Sequence, residues 1–255
     1  MIRIEHIKKR FKRLQVLDDV CAAFTKGQVI SLIGPNGSGK TTLIKSILGM
    51  VKPDSGNIYF NDAAINADYQ YRQHIGYMPQ IGRYPDNMKV EQLFIMLRHI
   101  RGEQGNDIDH DLIDQFNLPA IYGKSMRTLS GGTRQKVSAC LAFLFNPMVL
   151  ILDEPTAGLD PVSSEILKEK IVTEKNNGKL ILITSHILSD LDDLTTHVVY
   201  LHEGKLQFFK EIQALRNETG EARLGKAIAS IMHRQNPARL SGAERTMPKQ
   251  ENLVK

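Results

Sequence analysis

The chain has 255 residues, 42% of them hydrophobic and 24% charged, enough to bury a substantial core and unlike disordered, collagen-like or disulfide-framed chains. Two cysteines, Cys21 and Cys140, make neither a disulfide framework nor a metal site, and the start "MIRIEHIKKR" lacks a secretory signal, so the chain is expected in the cytoplasm. The net charge of +5 is mostly C-terminal, with eight Lys/Arg against five acids from Glu211 onward, which leaves a nearly neutral body, a basic run "KKRFKR" read as a solvated edge, and no nucleic-acid partner expected.

In chain order, residues 28–33, "QVISLI", form an apolar run without polar alternation, which predicts a buried parallel strand. It leads into "GPNGSGKT" at 34–41, the phosphate-loop pattern, and then into a helix predicted over 40–48 and stopped by Gly49. Gly34, Gly37 and Gly39, with Pro35, Asn36 and Ser38 between them, allow backbone N–H groups to curl around phosphate oxygens. The helix start adds partial positive charge and Lys40 a point charge. Thr41 is placed to ligate Mg²⁺, with Thr42 beside it.

Residues 81–145 carry no convincing strand and read as a helical insert. Within it, "LSGGT" at 129–133 sets two glycines before a helix, a second anion-binding pattern. Ser130 can cap that helix and offer its hydroxyl to a phosphate, and Gly131 and Gly132 permit close approach. Cys140 reads as a packed small side chain. The apolar run over 137–152 is interrupted by Asn146 and Pro147 and ends at Asp153, short of a membrane span.

The run at 148–153, "MVLILD", predicts a second buried strand that delivers Asp153 as a metal-side carboxylate and Glu154 as a general base. A helix over 163–175 and a third strand at 179–184, "KLILIT", follow, with His186 just beyond, in reach of a γ-phosphate. Residues 197–209 predict a hairpin turning at Glu203 and Gly204. Residues 215–232 fit either a helix packed on the sheet or a partner contact. Beyond 232 the composition predicts a disordered tail, and its "LSG" at 240–242 reads as coincidence. Strands separated by helices predict an α/β sheet. The expected division is a phosphate-loop core at 1–80 and 146–210, a helical subdomain at 81–145 and a C-terminal extension at 211–255.

"GPNGSGKT", "YMPQ", "LSGGT", "LILDEPTAGLD" and "ITSH", in that order, closely resemble the ATP-binding cassette family over about residues 1–210. The resemblance implies a P-loop NTPase (RecA-like) core with a mainly parallel sheet, an N-terminal antiparallel β part and an inserted helical subdomain. It implies Mg-ATP hydrolysis by a head-to-tail dimer with a second, identical subunit, whose ATP the signature loop of this chain would grip. Phe11 then corresponds to the aromatic ring under adenine, with a core phenylalanine as the competing reading. Gln80 corresponds to the residue sensing Mg²⁺ and γ-phosphate, and Asp160 to one crossing the dimer interface. Thr133 departs from the glutamine of many members. Membrane permease subunits would dock on "IGRYPDNMKV", with Tyr84 as anchor, placing the chain peripherally on the cytoplasmic face of the cell membrane. The wording is similar to exporter-type cassettes and, more narrowly, to the ATPase of the system that matures copper-containing nitrous oxide reductase. Alternatives are a soluble cassette ATPase acting on ribosomes or DNA, and a degenerate cassette that binds nucleotide without turnover.

Overall fold

The structure, a computed structural model, describes residues 1–65, 69–102, 108–185 and 188–235. The tail predicted beyond 232 starts too early, since residues 233–235 still belong to a helix; the part beyond 235, including 240–242, and His186 lie outside the described residues.

Two sheets form the body. The first is antiparallel, in the order β2-β1-β4-β5, from β1 (Ile2–Phe11), β2 (Leu14–Phe24), β4 (Ser55–Phe60) and β5 (Ala63–Ala64). The second has the order β10-β9-β3-β8-β7-β6, from β3 (Val29–Ile33), β6 (Ile75–Met78), β7 (Val149–Asp153), β8 (Leu180–Thr184), β9 (His197–His202) and β10 (Lys205–Glu211). All its pairings are parallel except β9 with β10. That hairpin turns at Glu203 and Gly204, both at positive φ (49° and 76°), the backbone that a two-residue turn between twisted strands requires. β6 was not legible as a strand, because "IGYM" is short and contains a glycine; it forms the sheet edge.

Strands β3, β7 and β8 are buried along their whole length, and successive residues point to opposite faces. Ile30, Leu32, Val149, Ile151, Leu180 and Leu182 pack with the antiparallel sheet and with Leu43, Ile44 and Ile47 of α1 (Lys40–Ile47). Val29, Ile33, Leu150, Leu152, Ile181 and Ile183 pack on the other side against the helical elements. The parallel sheet is therefore the middle layer of three.

The helical side contains α2 (Val90–Arg101), α3 (Asp111–Gln115), α4 (Gly131–Phe143) and α5 (Pro161–Asn176), the last beginning two residues before the predicted start. Helix α4 is buried around most of its circumference and lies so close to β6 that a Cβ on Gly76 would stand 1.9 Å from the Ala142 carbonyl oxygen. Cys140 is buried in α4, and burial pushes its thiol pKa up, in keeping with a packed, unreactive side chain. Residues 215–232 do pack on the sheet: Leu215 of α6 (Ile212–Thr219) and Leu224, Ala227, Ile228 and Ile231 of α7 (Leu224–Gln235) join the sheet's helical-side core. Among the described residues no helix is long and apolar enough to cross a membrane.

A buried ionic cluster joins the insert to the core. Lys170 of α5, only 6% exposed, lies 2.6 Å from Asp109, 3.1 Å from Asp111 and 3.0 Å from Glu174, and Lys179 pairs with Glu174 from the entry to β8. Burial opposes the Lys170 charge, but the hydrogen bonds to Asp109, Glu174 and Asp111 outweigh it and raise its pKa. Its contribution is therefore whole below the ordinary lysine value of about 10.4 and disappears only as pH climbs through the raised one. Replacing Lys170 by methionine leaves Asp109 and Asp111 without this cation while Glu174 keeps Lys179, and denaturant unfolding at pH 7 should show a loss of about 2 kcal/mol.

Candidate active site

The site is assembled at the carboxyl edge of the parallel sheet, where β3, β7 and β8 end side by side. A cleft of about 520 Å³ lies there, a size suited to a small-molecule ligand. Its walls include Asn36, Gly37, Ser38, Gly39, Lys40, Thr41 and Thr42 from the phosphate loop and the start of α1, Gln80 after β6, Asp153 and Glu154 after β7, and Thr184 and Ser185 after β8. Leu14 and Val16 of β2 supply its apolar side.

The loop needs its glycines for packing as well as for backbone freedom. A Cβ on Gly34 would meet the Leu201 carbonyl oxygen at 2.0 Å, and one on Gly39, which starts α1 at φ 104°, would meet the Val16 carbonyl oxygen at 2.6 Å. The loop is thus pressed onto β9 and β2 and fixed in shape. Lys40 Nζ donates to the carbonyls of Gly34 (2.7 Å) and Pro35 (3.0 Å). Burial lowers the Lys40 pKa, and the carboxylates of Asp153 and Glu154 act against that. Ser38 Oγ is buried with no hydrogen-bond partner. A polar atom left unmatched in a glycine cradle beside a half-buried ammonium is what a phosphate ligand would satisfy.

The two acids differ in environment. Asp153 is buried at the end of β7 and accepts a hydrogen bond from the Thr184 hydroxyl. Glu154 holds a left-handed backbone (φ 51°), a conformation costing about 1–3 kcal/mol in a non-glycine residue and concentrated at functional sites. Its N–H donates to both the carbonyl and the hydroxyl of Thr184 (3.1 Å each), and Gln80 Nε2 donates to its carboxylate at 2.9 Å. Gln80 and Glu154 are thereby joined across the cleft mouth. Thr184 and Ser185 were missed in the sequence; the available signal was a hydroxyl residue ending an apolar strand directly before His186.

Phe11 is 46% exposed with Lys9 Nζ over its ring at 5.3 Å, which rules out the core reading. It pairs with Leu14 at the end of the β1–β2 hairpin, and Leu14, rather than Phe11 itself, is in the cleft wall.

The second glycine stretch lies elsewhere. Ser130 caps α4, accepting from the Thr133 N–H, and none of Ser130, Gly131 and Gly132 lines the cleft. Gly131 faces open space, as expected for ligand approach. Gly132 does not: a Cβ there would stand 2.6 Å from the Gly158 carbonyl oxygen, so its need for glycine comes from packing within the chain. Asp160 also has partners within the chain. It caps α5 through Ser163 N (2.9 Å) and Oγ (2.8 Å) and pairs with Lys136 of α4 at 2.9 Å, and these contacts, the backbone bond first, lower its pKa. Tyr84 is drawn inward as well, its hydroxyl 3.0 Å from Ser138 Oγ, and it forms a groove wall beside Arg83 and Phe145.

Comparison with known proteins agrees with this geometry. A model of the ABC transporter family matches residues 17–157. The chain is 32% identical over 225 residues to an uncharacterized ABC transporter ATP-binding protein, YhaQ, of Bacillus subtilis (strain 168), covering 87% of this chain and 74% of that one. It is equally 32% identical to the lantibiotic transport ATP-binding protein SrtF of Streptococcus pyogenes, over 85% of this chain and 93% of that one. A solved ATP-binding subunit of an ABC transporter superposes with a TM-score of 0.83 at 27% identity, covering 91% of this chain and 99% of that one. A dimeric bacterial ABC cassette, at 19% identity, shares the fold (TM-score 0.74) over 83% of this chain and 99% of that one. With its glycine cradle, paired carboxylates and matching relatives, the chain belongs to the ABC transporter family as an ATP-binding, ATP-hydrolysing subunit.

Proposed function

We propose that two copies of this chain close head-to-tail around ATP and so power a separate membrane permease. The observation that carries this reading is the separation of the two phosphate-binding stretches: the cleft holds the phosphate loop and the acids, while Ser130 and Gly131 face outward at the start of α4. One chain then supplies half of each site. Thr41, Gln80 and Asp153 are the residues that would hold Mg²⁺, which when bound neutralises phosphate charge. Lys40 grips the terminal phosphates. Glu154, oriented by the Gln80 amide and the Thr184 backbone and hydroxyl, takes the proton of the attacking water, with His186 at the γ-phosphate. Phe11 stacks on adenine from the hairpin end, and Asp160 holds the α5 start against α4 at the dimer face.

The groove between β6, α2 and α4, lined by Tyr77, Arg83, Tyr84, Leu97, Arg101 and Phe145, is where the permease's cytoplasmic helix docks, at the cytoplasmic face of the membrane. The division into core, helical subdomain at 81–145 and C-terminal extension follows from the same reading. Relatives named for lantibiotic transport and for lipopolysaccharide export support an exporter-type system. The narrower reading, maturation of copper-containing nitrous oxide reductase, rests on the resemblance of residues 75–94 and 126–137 alone.

Two outcomes are expected. Glu154→Gln should keep ATP binding, lose roughly a hundredfold or more of turnover and accumulate an ATP-bound dimer on gel filtration; unchanged hydrolysis rejects the general-base role. Mixing a Ser130→Ala chain with a Lys40→Ala chain should restore turnover that neither has alone, because mixed dimers regain one intact site. Absence of any gain on mixing points to a site completed within one chain.

A further inference from the structure

Ser130 and Thr133 are linked by two contacts: Ser130 Oγ accepts the Thr133 backbone N–H at 3.2 Å and lies 2.8 Å from Thr133 Oγ1. A serine hydroxyl has one proton and two lone pairs. Capping α4 occupies the first lone pair. The Thr133 hydroxyl faces the oxygen as well, and when it donates to the second lone pair the single Ser130 proton has no acceptor left within the helix cap. That proton then points outward, on the side where Ser130 is exposed and Gly131 has open space in front of it. Thr133 is suited to hold this arrangement, because its branched β-carbon restricts χ1 and it is half-buried on α4. Two hydroxyls in series also polarise one another, which makes the terminal one a better donor.

We infer that Thr133 is a positioning residue that commits the Ser130 hydroxyl to donating toward a terminal phosphate oxygen of the ATP held by the second copy. This inference rests on the head-to-tail reading above and assigns work to the residue at which this chain departs from the resemblance pattern. Thr133 touches no nucleotide in this account; it acts through Ser130.

The test uses the full chain with Mg-ATP and compares Thr133→Val, Thr133→Ala and Thr133→Ser with and without Ser130→Ala. The readouts are the ATP concentration giving half-maximal dimer and the division of the effect between KM and kcat. Thr133→Val, which keeps the shape and removes the hydroxyl, should raise the ATP requirement about fivefold. Thr133→Ala should do the same, Thr133→Ser should restore the original value, and none of these changes should matter once Ser130 is alanine. An unaltered ATP requirement in both Thr133→Val and Thr133→Ala overturns the inference. So does an equal loss in the Ser130→Ala background, which would show that Thr133 acts only on helix structure. If Ser130→Ala itself leaves the ATP requirement unchanged, the head-to-tail reading fails and takes this inference with it.

Discussion

Strands β3, β7 and β8 are hydrogen-bonded side by side, run in the same direction and are buried on both faces, so whatever follows each of them emerges along one edge of the sheet. Burial on both faces restricts the strands to residues such as Val, Ile and Leu, and polar chemistry is deferred to their ends. β3 delivers the phosphate loop, β7 delivers Asp153 and Glu154, and β8 delivers Thr184 and Ser185. Loss of register by one residue would turn each of these side chains to the opposite face. The geometry of the cleft is thus a consequence of sheet alignment, and the Thr184 hydroxyl, which donates to Asp153 and accepts from the Glu154 N–H, locks two neighbouring strand ends together.

The helical side carries the second glycine stretch and is held to the same frame by close packing and charge. Gly76 lets α4 sit against β6, Gly132 lets the start of α4 touch the Gly158 carbonyl, and the Lys136–Asp160 pair ties α4 to α5. The Lys170 cluster joins α5 to Asp109 and Asp111 at the start of α3. These contacts give Ser130 a defined position on the chain's surface while leaving it outside the cleft. In the head-to-tail arrangement proposed above, a γ-phosphate gripped from both sides makes ATP the element that holds two copies together, and its removal releases the grip.

Much of this was legible in the residues because the signals were physical and local. Uninterrupted apolar runs of strand length marked β3, β7 and β8, glycine spacing marked the phosphate loop, and the Glu203–Gly204 pair between apolar stretches marked the last hairpin. What escaped was tertiary. β6 is an edge strand with a glycine, so it lacks the apolar run that identifies a central strand. The inward turn of Tyr84 depends on Ser138, 54 positions away, and the packing role of Gly132 depends on a carbonyl in another loop. Thr184 had a readable type and position, yet its bridging of two acids becomes visible only when β7 and β8 are side by side. The two readings of Phe11 were separated only by its exposure, and the presence of Leu14 in the cleft wall follows from the hairpin path, which composition does not encode.

With a pair of chains as the proposed working unit, the most direct measurement is specific ATPase activity as a function of chain concentration at saturating Mg-ATP, with association state followed by analytical ultracentrifugation. Activity per chain should fall on dilution in step with the loss of dimer. Constant activity per chain at dilutions where every molecule sediments as a monomer would contradict it.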